Sequence, residues 1–451
     1  MHRFGRYAAA VLCLLFAVVA LSGCFSITAN ELYSLPQPSK EFLKLQEQIN
    51  TVLSTGAEYS PPTAGPNRQS VQLKDLNSDG QNEAIAFFRT TGDKPLKIYI
   101  LQQSGATYKT ADVIEGDGTG IESIRYADLD GDGTMELIVG WQMGASLTHM
   151  NIYSIKGGQH VSLADDDYTQ LSVSDMDNDG NPDVMAVRLP SSEQPGQADM
   201  YSLRADGEVD AKTAQLSKGI ESISYVIKGR LLDESPALFI ESSGSGKTVV
   251  TDILTWVNGG LYNITADTSG GVSKDTLRSY AAYSTDINND KVTEVPFPRL
   301  LGSSADTKYY VIDWYAYNKY GYRSKVFTTY HDFSDGWYLI LPDDWKSADD
   351  WKNISVRRDD SVAGERTLIF SYISAPGETP IEFLKIYTLS GDNRFDRAAM
   401  AGRFRLEEHG DGDMVYAAEI LASVTGITAD KTQIINGFRL LYSDWATGII
   451  S

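Results

Sequence analysis

Four segments of the chain carry oxygen-bearing side chains at alternate positions: DLNSDGQNE at Asp75 to Glu83, DLDGDGTME at Asp128 to Glu136, DMDNDGNPD at Asp175 to Asp183 and DINNDKVTE at Asp286 to Glu294. Oxygens at positions 1, 3, 5 and 9 of a tight turn can surround one hard cation, and calcium suits them best. The second segment is the fullest. Asp128, Asp130 and Asp132 offer carboxylates, Thr134 its backbone carbonyl, and Glu136 closes the shell, while Gly133 permits the left-handed backbone that turns the groups inward. An EF-hand would need its closing acid at position 12, where these segments have Ala86, Val139, Ala186 and Phe297. The unit is instead a nine-residue turn that leads into a strand.

The elements that must position these turns are legible on either side of them. Before three of the turns an apolar pair points to one face: Val71 and Leu73, Ile124 and Tyr126, Leu171 and Val173. After them come continuous apolar runs, Ala84 to Phe88, Leu137 to Trp141 and Val184 to Val187, which read as buried strands. Each turn therefore joins two strands of a hairpin. The first aspartates lie 53, 47 and 111 residues apart, and the last interval is close to two of the others. The missing unit falls near Gly229, where the run Val226 to Gly229 leads through Asp233 to the run Ala237 to Ile240, which keeps the strands but loses most of the ligand oxygens. With further strands such as Met150 to Ile155 and His160 to Leu163, four strands in about 50 residues match one β-propeller blade. The span 66–332 then holds about five blades.

The turns resemble the calcium turns of integrin-α-type propeller repeats, also known as FG-GAP or VCBS repeats, although no Phe-Gly and Gly-Ala-Pro pair recurs. The resemblance implies up to four calcium ions, mainly structural. Its implied ligands are Asp75, Asn77, Asp79, the Gln81 carbonyl and Glu83 at the first site, and Asp128, Asp130, Asp132, the Thr134 carbonyl and Glu136 at the second. The third has Asp175, Asp177, Asp179, the Asn181 carbonyl and Asp183; the fourth has Asp286, Asn288, Asp290, the Val292 carbonyl and Glu294. Lys291 replaces the glycine of the other turns, at a cost of about 1 kcal/mol, so the fourth site is expected to be the weakest.

The flanks have other tasks. His2, Arg3 and Arg6 precede an apolar run from Ala8 to Leu21, and Leu21-Ser22-Gly23-Cys24 completes the layout of a secretory signal. Those last four residues resemble a bacterial lipobox, which implies that residues 1–23 are removed and that Cys24 carries a lipid. The protein is then expected on a cell membrane, lipid-anchored and facing outside the cytoplasm. Cys13 is the only other cysteine, so no disulfide forms within the mature chain. Residues 24–65 read as a tether with a short helix, in which Phe42, Leu45, Ile49 and Leu53 fall at helical spacing.

Charge narrows the partners. The full chain carries a net −21, and losing Arg3 and Arg6 makes it −23; 14 of its acids lie in the four turns. Such acidity disfavours nucleic acid and anionic lipid. Gly244 to Thr248 looks like the end of a phosphate loop, but Glu241 stands where that motif needs glycine, so a β-turn is expected. No Gly-x-Ser-x-Gly elbow occurs, and His149, His160, His331 and His409 are scattered.

Tyr309, Tyr310, Trp314, Tyr315, Tyr317, Tyr320 and Tyr322 crowd one predicted hairpin. They form a candidate ligand surface for protein or carbohydrate, against the alternative that they pack the last blade onto the C-terminal domain. That domain, residues 333–451, reads as a small α+β unit, with a strand ending at Leu341-Pro342, strands at Phe383 to Thr388 and Met414 to Glu419, and a helix near Asp430 to Tyr442. It weakly resembles PsbP-like or Mog1-like folds, which implies a binding or assembly module. The whole is expected to be a mainly β, calcium-stabilised binding scaffold. The alternative is an extracytoplasmic hydrolase of wall polymer or polysaccharide that uses the propeller to hold substrate.

Overall fold

Apolar runs on both faces of a strand demand cover on both sides, and this requirement organises the chain. The computed structural model describes residues 40–441 apart from 106, 193, 245, 247, 268–270, 280, 302–308, 346–352, 376, 409–411, 425–426 and 428. Among the described residues the protein is mainly β, with 54% strand against 9% helix, and its strands form several four-stranded antiparallel sheets.

Helix α1 (Lys40–Leu53) leads into the first sheet, made of β1 (Glu58–Tyr59), β2 (Val71–Lys74), β3 (Glu83–Arg89), β4 (Leu96–Ser104) and β5 (Thr107–Gly116). The second is a plain meander of β6 (Gly120–Ala127), β7 (Glu136–Gln142), β8 (Thr148–Ser154) and β9 (Val161–Tyr168). The third repeats it with β10 (Gln170–Ser174), β11 (Asp183–Arg188), β12 (Gln197–Leu203) and β13 (Val209–Gln215). The fourth does so with β14 (Ile220–Arg230), β15 (Pro236–Gly244), β16 (Thr248–Val257) and β17 (Gly260–Asn263). In the fifth the opening strand shrinks to a single bridge between Thr285 and Glu294, ahead of β18 (Val295–Leu301), β19 (Tyr309–Tyr317), β20 (Arg323–Asp332) and β21 (Trp337–Leu341).

Alternation along the second strands sets how the sheets stack. On β3, Ile85 and Phe87 pack against Leu137, Val139 and Trp141 of the second sheet. On β7, Ile138 faces Val184 and Ala186 of the third, whose Met185 and Val187 face Leu238 and Ile240 of the fourth. Phe239 then meets Val295 and Tyr317 of the fifth. The sheets are thus joined in series, and among the described residues no core cluster joins the first to the fifth.

The two terminal faces have their own covers. Ala84, Ala86 and Phe88, on the far side of β3, lie under Leu45, Ile49 and Val52 of α1. The helix forms because those three recur at i, i+4 and i+7, and it stops before Gly56, whose φ is +89°. This corrects the tether reading for residues 40–65: the segment is packed, because burying three aliphatic side chains contributes roughly 1.5–3 kcal/mol each. Phe42, placed on the apolar face by its spacing, is exposed, and Val52 is buried instead. Beyond β1 the chain still tracks the sheets, with Thr63 N donating to Ile121 O and the Asn67 amide to Ile124 O.

At the other end a sixth sheet covers the fifth. Its antiparallel order is β22 (Ile354–Val362), β23 (Glu365–Tyr372), β24 (Ile381–Ser390), β26 (Met414–Ile420), β25 (Arg403–Glu408), with the short helix α2 (Arg394–Ala398) after β24. Trp345, Phe370, Phe383 and Tyr416 share one core with Tyr330, Trp337 and Leu339 of the fifth sheet. Arg358 grips Asp332 at 3.2 Å and Asp335 at 2.9 Å, and Tyr416 donates its hydroxyl to the Asp335 carbonyl.

Two boundaries differ from the sequence reading. The change at His331 to Phe333 marks a turn rather than a break, since β21 continues the fifth sheet beside β20. The C-terminal helix α3 (Lys431–Gly437) is shorter than expected, because β27 (Phe438–Leu440) leaves it to pair with β21. Its N-cap is Asp430, whose carboxylate accepts from the amides of Thr432 and Gln433. Gly244 at the end of β15 pairs with Thr248 at the start of β16.

The packed helix has a direct check. Ile49→Ala should lower unfolding free energy in urea by about 2–4 kcal/mol, whereas a free tether would leave it unchanged.

Candidate functional site

Backbone strain at two points folds each aspartate turn. Position 4 is left-handed at Ser78, Gly131, Asn178 and Asn289, and position 6 at Gly80, Gly133, Gly180 and Lys291. Those bends aim successive amides at the acids. In the second turn Asp132 N donates to Asp128 Oδ1 at 3.1 Å, Gly133 N to Asp128 Oδ2 at 2.9 Å, and Thr134 N to Asp132 Oδ1 at 2.7 Å. The same bonds recur around Asp75, Asp175 and Asp286. One carboxylate thus organises the loop, as in an Asx turn.

The closing acids sit deeper. Glu83, Glu136, Asp183 and Glu294 each accept the amide of position 2, from Leu76, Leu129, Met176 and Ile287 at 3.0, 3.0, 2.8 and 3.2 Å. Burial pushes Asp183 up to about 6, Glu136 to about 7 and Glu294 to about 8, with the neighbouring aspartates adding to it, and raises Glu83 as well. Glu136 Oε1 and Glu294 Oε1 are buried with no hydrogen-bond partner among the described residues. In the third turn the shorter Asp183 is served by the Ser202 hydroxyl at 2.5 Å.

Three acids converge in each of the two fullest turns. Ligand atoms of Asp128, Asp130 and Glu136 lie within 4.8 Å of one another, as do those of Asp175, Asp177 and Asp183. Asn77 and Asn288 stand at position 3 in the other two turns, so those sites bring fewer charges together. Asp79, Asp132, Asp179 and Asp290 each hold the amide of position 7, which fixes the residues whose carbonyls are candidate ligands: Gln81, Thr134, Asn181 and Val292. All donors are hard oxygens, the set that suits calcium or magnesium better than a softer metal.

Two contributors escape sequence reasoning. Lys156, from the β8–β9 reversal, places its ammonium 2.8 Å from Asp130 Oδ2 and 2.6 Å from Asp132 Oδ2, and that contact holds the Asp132 carboxyl below its usual range. Nothing near Asp130 in sequence announces a lysine 26 residues away. The second is the apolar residue at position 2, buried in every turn as Leu76, Leu129, Met176 and Ile287, and matched by Leu231 where the fourth sheet lacks the nine-residue aspartate pattern. Its signal was present as the recurring Asp-Leu, Asp-Met and Asp-Ile pairs.

The turns also touch one another. Ser78 Oγ donates to Gly133 O at 2.6 Å, Met135 N donates to Leu76 O, and a Cβ on Gly131 would run into Asn181 of the third turn. Three sites therefore form a row along one rim. In the fourth sheet Gly229 is needed for a different reason: a side chain there would collide with Thr293, just before Glu294.

The aromatic group divides. Trp314 and Tyr317 are fully buried, and the Trp314 indole donates to Thr329 Oγ1 at 2.8 Å. Tyr309 packs on the core shared by the fifth and sixth sheets, and Tyr310 is half-buried. Tyr315 stacks edge-on to Phe297 beneath the Arg323 guanidinium. Only Tyr320 and Tyr322, 61% and 75% exposed, are free to meet a ligand. Burial therefore takes Trp314 and Tyr317 out of the candidate surface, because β19 lies between β18 and β20 and both side chains sit in cores, while Tyr309, Tyr310 and Tyr315 are half-buried. Cys24 and the signal segment lie outside the described residues.

Residues 75–139, from the first turn through the second and into β7, match the FG-GAP-like repeat. No curated protein matches the chain significantly.

The raised acids give a pH dependence of known sign. A carboxyl whose native pKa lies above its unfolded value stabilises most below the unfolded pKa, and loses that contribution as pH rises through the native one. In metal-free buffer, stability should fall between about pH 4.5 and pH 8, and Glu294→Gln should flatten the upper part of that fall in urea titrations.

Proposed function

We propose that this chain is a membrane-anchored extracytoplasmic lipoprotein whose calcium-clipped, propeller-type sheets form a binding scaffold. The observation that carries the reading is the buried, unpartnered Oε1 of Glu136, in a turn where ligand atoms of Asp128, Asp130 and Glu136 lie within 4.8 Å of one another; Glu294 Oε1 is likewise buried and unpartnered among the described residues. An unsatisfied buried acceptor costs about 1–3 kcal/mol, more when charged. A divalent ion at the turn would use that oxygen together with positions 1, 3, 5 and 7, and would be worth more to the folded chain than to the unfolded one.

The meander sheets and the FG-GAP-like repeat support a propeller-type arrangement, with α1 and the sixth sheet covering its terminal faces. The signal layout before Cys24 supports the lipid anchor, and the exposed Tyr320 and Tyr322 suit a protein or carbohydrate partner. The sixth sheet would serve as an assembly or binding module. The hydrolase reading finds less support: outside the turns, Asp166 and Asp199 share Arg188, and Asp332 and Asp335 share Arg358. Acids held in such pairs are not arranged as a proton donor beside a free nucleophile.

Calcium at about 100 times its dissociation constant should stabilise the metal-free chain by about 2.7 kcal/mol per site, read as a rise in melting temperature and protease resistance. Glu136→Gln should remove part of that gain; no response to calcium at all would end the ion-clip reading. Lys291→Gly relieves a left-handed lysine and should raise stability by about 0.5 kcal/mol, the strain relief being partly offset by glycine's greater freedom when unfolded. Cys24→Ser should move the protein from the membrane fraction to the soluble one.

A further inference from the structure

The first strands of three successive sheets surround a cavity of about 470 Å³ that has a charge opposite to that of the protein. Among its lining residues are Asn67, Arg125 on β6, Gln170 and Ser172 on β10, and Lys228 on β14; none of the residues lining it is acidic. The bonds of its two cations go to neutral acceptors. Arg125 donates to Ser123 Oγ and to Leu171 O, both at 3.2 Å, and Lys228 donates to Val173 O. Among the described residues neither forms an ion pair, in a chain with a net charge of −21.

Two like charges facing one space repel, and a partly buried cation without a counter-ion is costly. Lys228, though exposed at the rim, is desolvated in part by the wall, and its pKa is lowered by that burial first and by Arg125 second. A second and independent sign lies in the wall: Ser172 is only 6% exposed, and its hydroxyl has no hydrogen-bond partner among the described residues. A guanidinium, an ammonium, a hydroxyl and a carboxamide are thus gathered from different elements around one space. That is the donor set that binds a tetrahedral oxyanion, the guanidinium by paired N–H bonds and the ammonium as a point charge.

We propose that this cavity binds the oxyanion of a small phosphate or sulfate ester, held by Arg125 and Lys228 with Ser172 and Asn67 completing its hydrogen bonds. The volume suits a small molecule rather than a polymer strand. The net negative charge of the chain would repel anions generally, so selectivity comes from the local pair of cations, and affinity should fall as salt screens them. The site is separate from the aspartate turns, so it does not depend on whether those turns hold calcium.

The test is titration calorimetry of the folded chain with inorganic phosphate and with inorganic sulfate, at low and at high salt. Saturable binding of one or both is expected, weaker at high salt, with the tighter probe identifying the ester class. Arg125→Gln and Lys228→Gln should each weaken it about tenfold, equivalent to about 1.4 kcal/mol, and Arg125→Lys less. Lys228 is exposed at the rim, so Lys228→Gln should fold normally and decides the matter if Arg125→Gln does not fold. No saturable binding of either ion, or binding unchanged by Lys228→Gln, would overturn the proposal.

Discussion

Burial of the second strand of each of the first four sheets on both of its faces is the constraint on which the rest of the architecture depends. A run such as Ala84 to Phe88 cannot be covered by one neighbour, since its side chains alternate between two sides. Each sheet therefore needs a partner before and after it, and the sheets stack in series. A series has ends, where an uncovered sheet face would expose a large apolar patch. The chain meets that with α1 at one end and the sixth sheet at the other, so both flanks are parts of the same packing problem.

The aspartate turns act within this stack. The first three bring a first strand around to a buried second strand, and in all four the apolar residue at position 2 is buried while the closing acid holds its amide. Position 2 and position 9 therefore tie the loop to the core, leaving positions 1, 3 and 5 to converge outside it. The four turns are not equivalent. Ser202 satisfies Asp183 and Lys156 partly neutralises the second turn, whereas Glu294 has neither help.

The cationic cavity is a consequence of the same stacking seen from the other edge. Strands β6, β10 and β14 hold equivalent places in successive sheets, so side chains far apart in sequence arrive at one space. Arg125 and Lys228 face one space, and among the described residues neither forms an ion pair. The fifth and sixth sheets show the opposite arrangement, where Asp332 and Asp335 are met by Arg358 and the junction is closed.

The sequence by itself determined the repeat, the places of the aspartate turns and the buried strands that come after them. These signals are local: alternation, a left-handed glycine and acids at fixed spacing all act within about ten residues. Tertiary structure alone decided that α1 is packed rather than free, since a helical spacing of apolar residues does not say what covers them. It also decided that Trp314 and Tyr317 are core, because alternation cannot tell an interior strand from an exposed hairpin. Lys156 beside Asp130, and Arg125 opposite Lys228, are pairings across 26 and 103 residues, and no local pattern encodes them. They exist because stacked sheets bring matching strand positions together, a relation that only the folded chain contains.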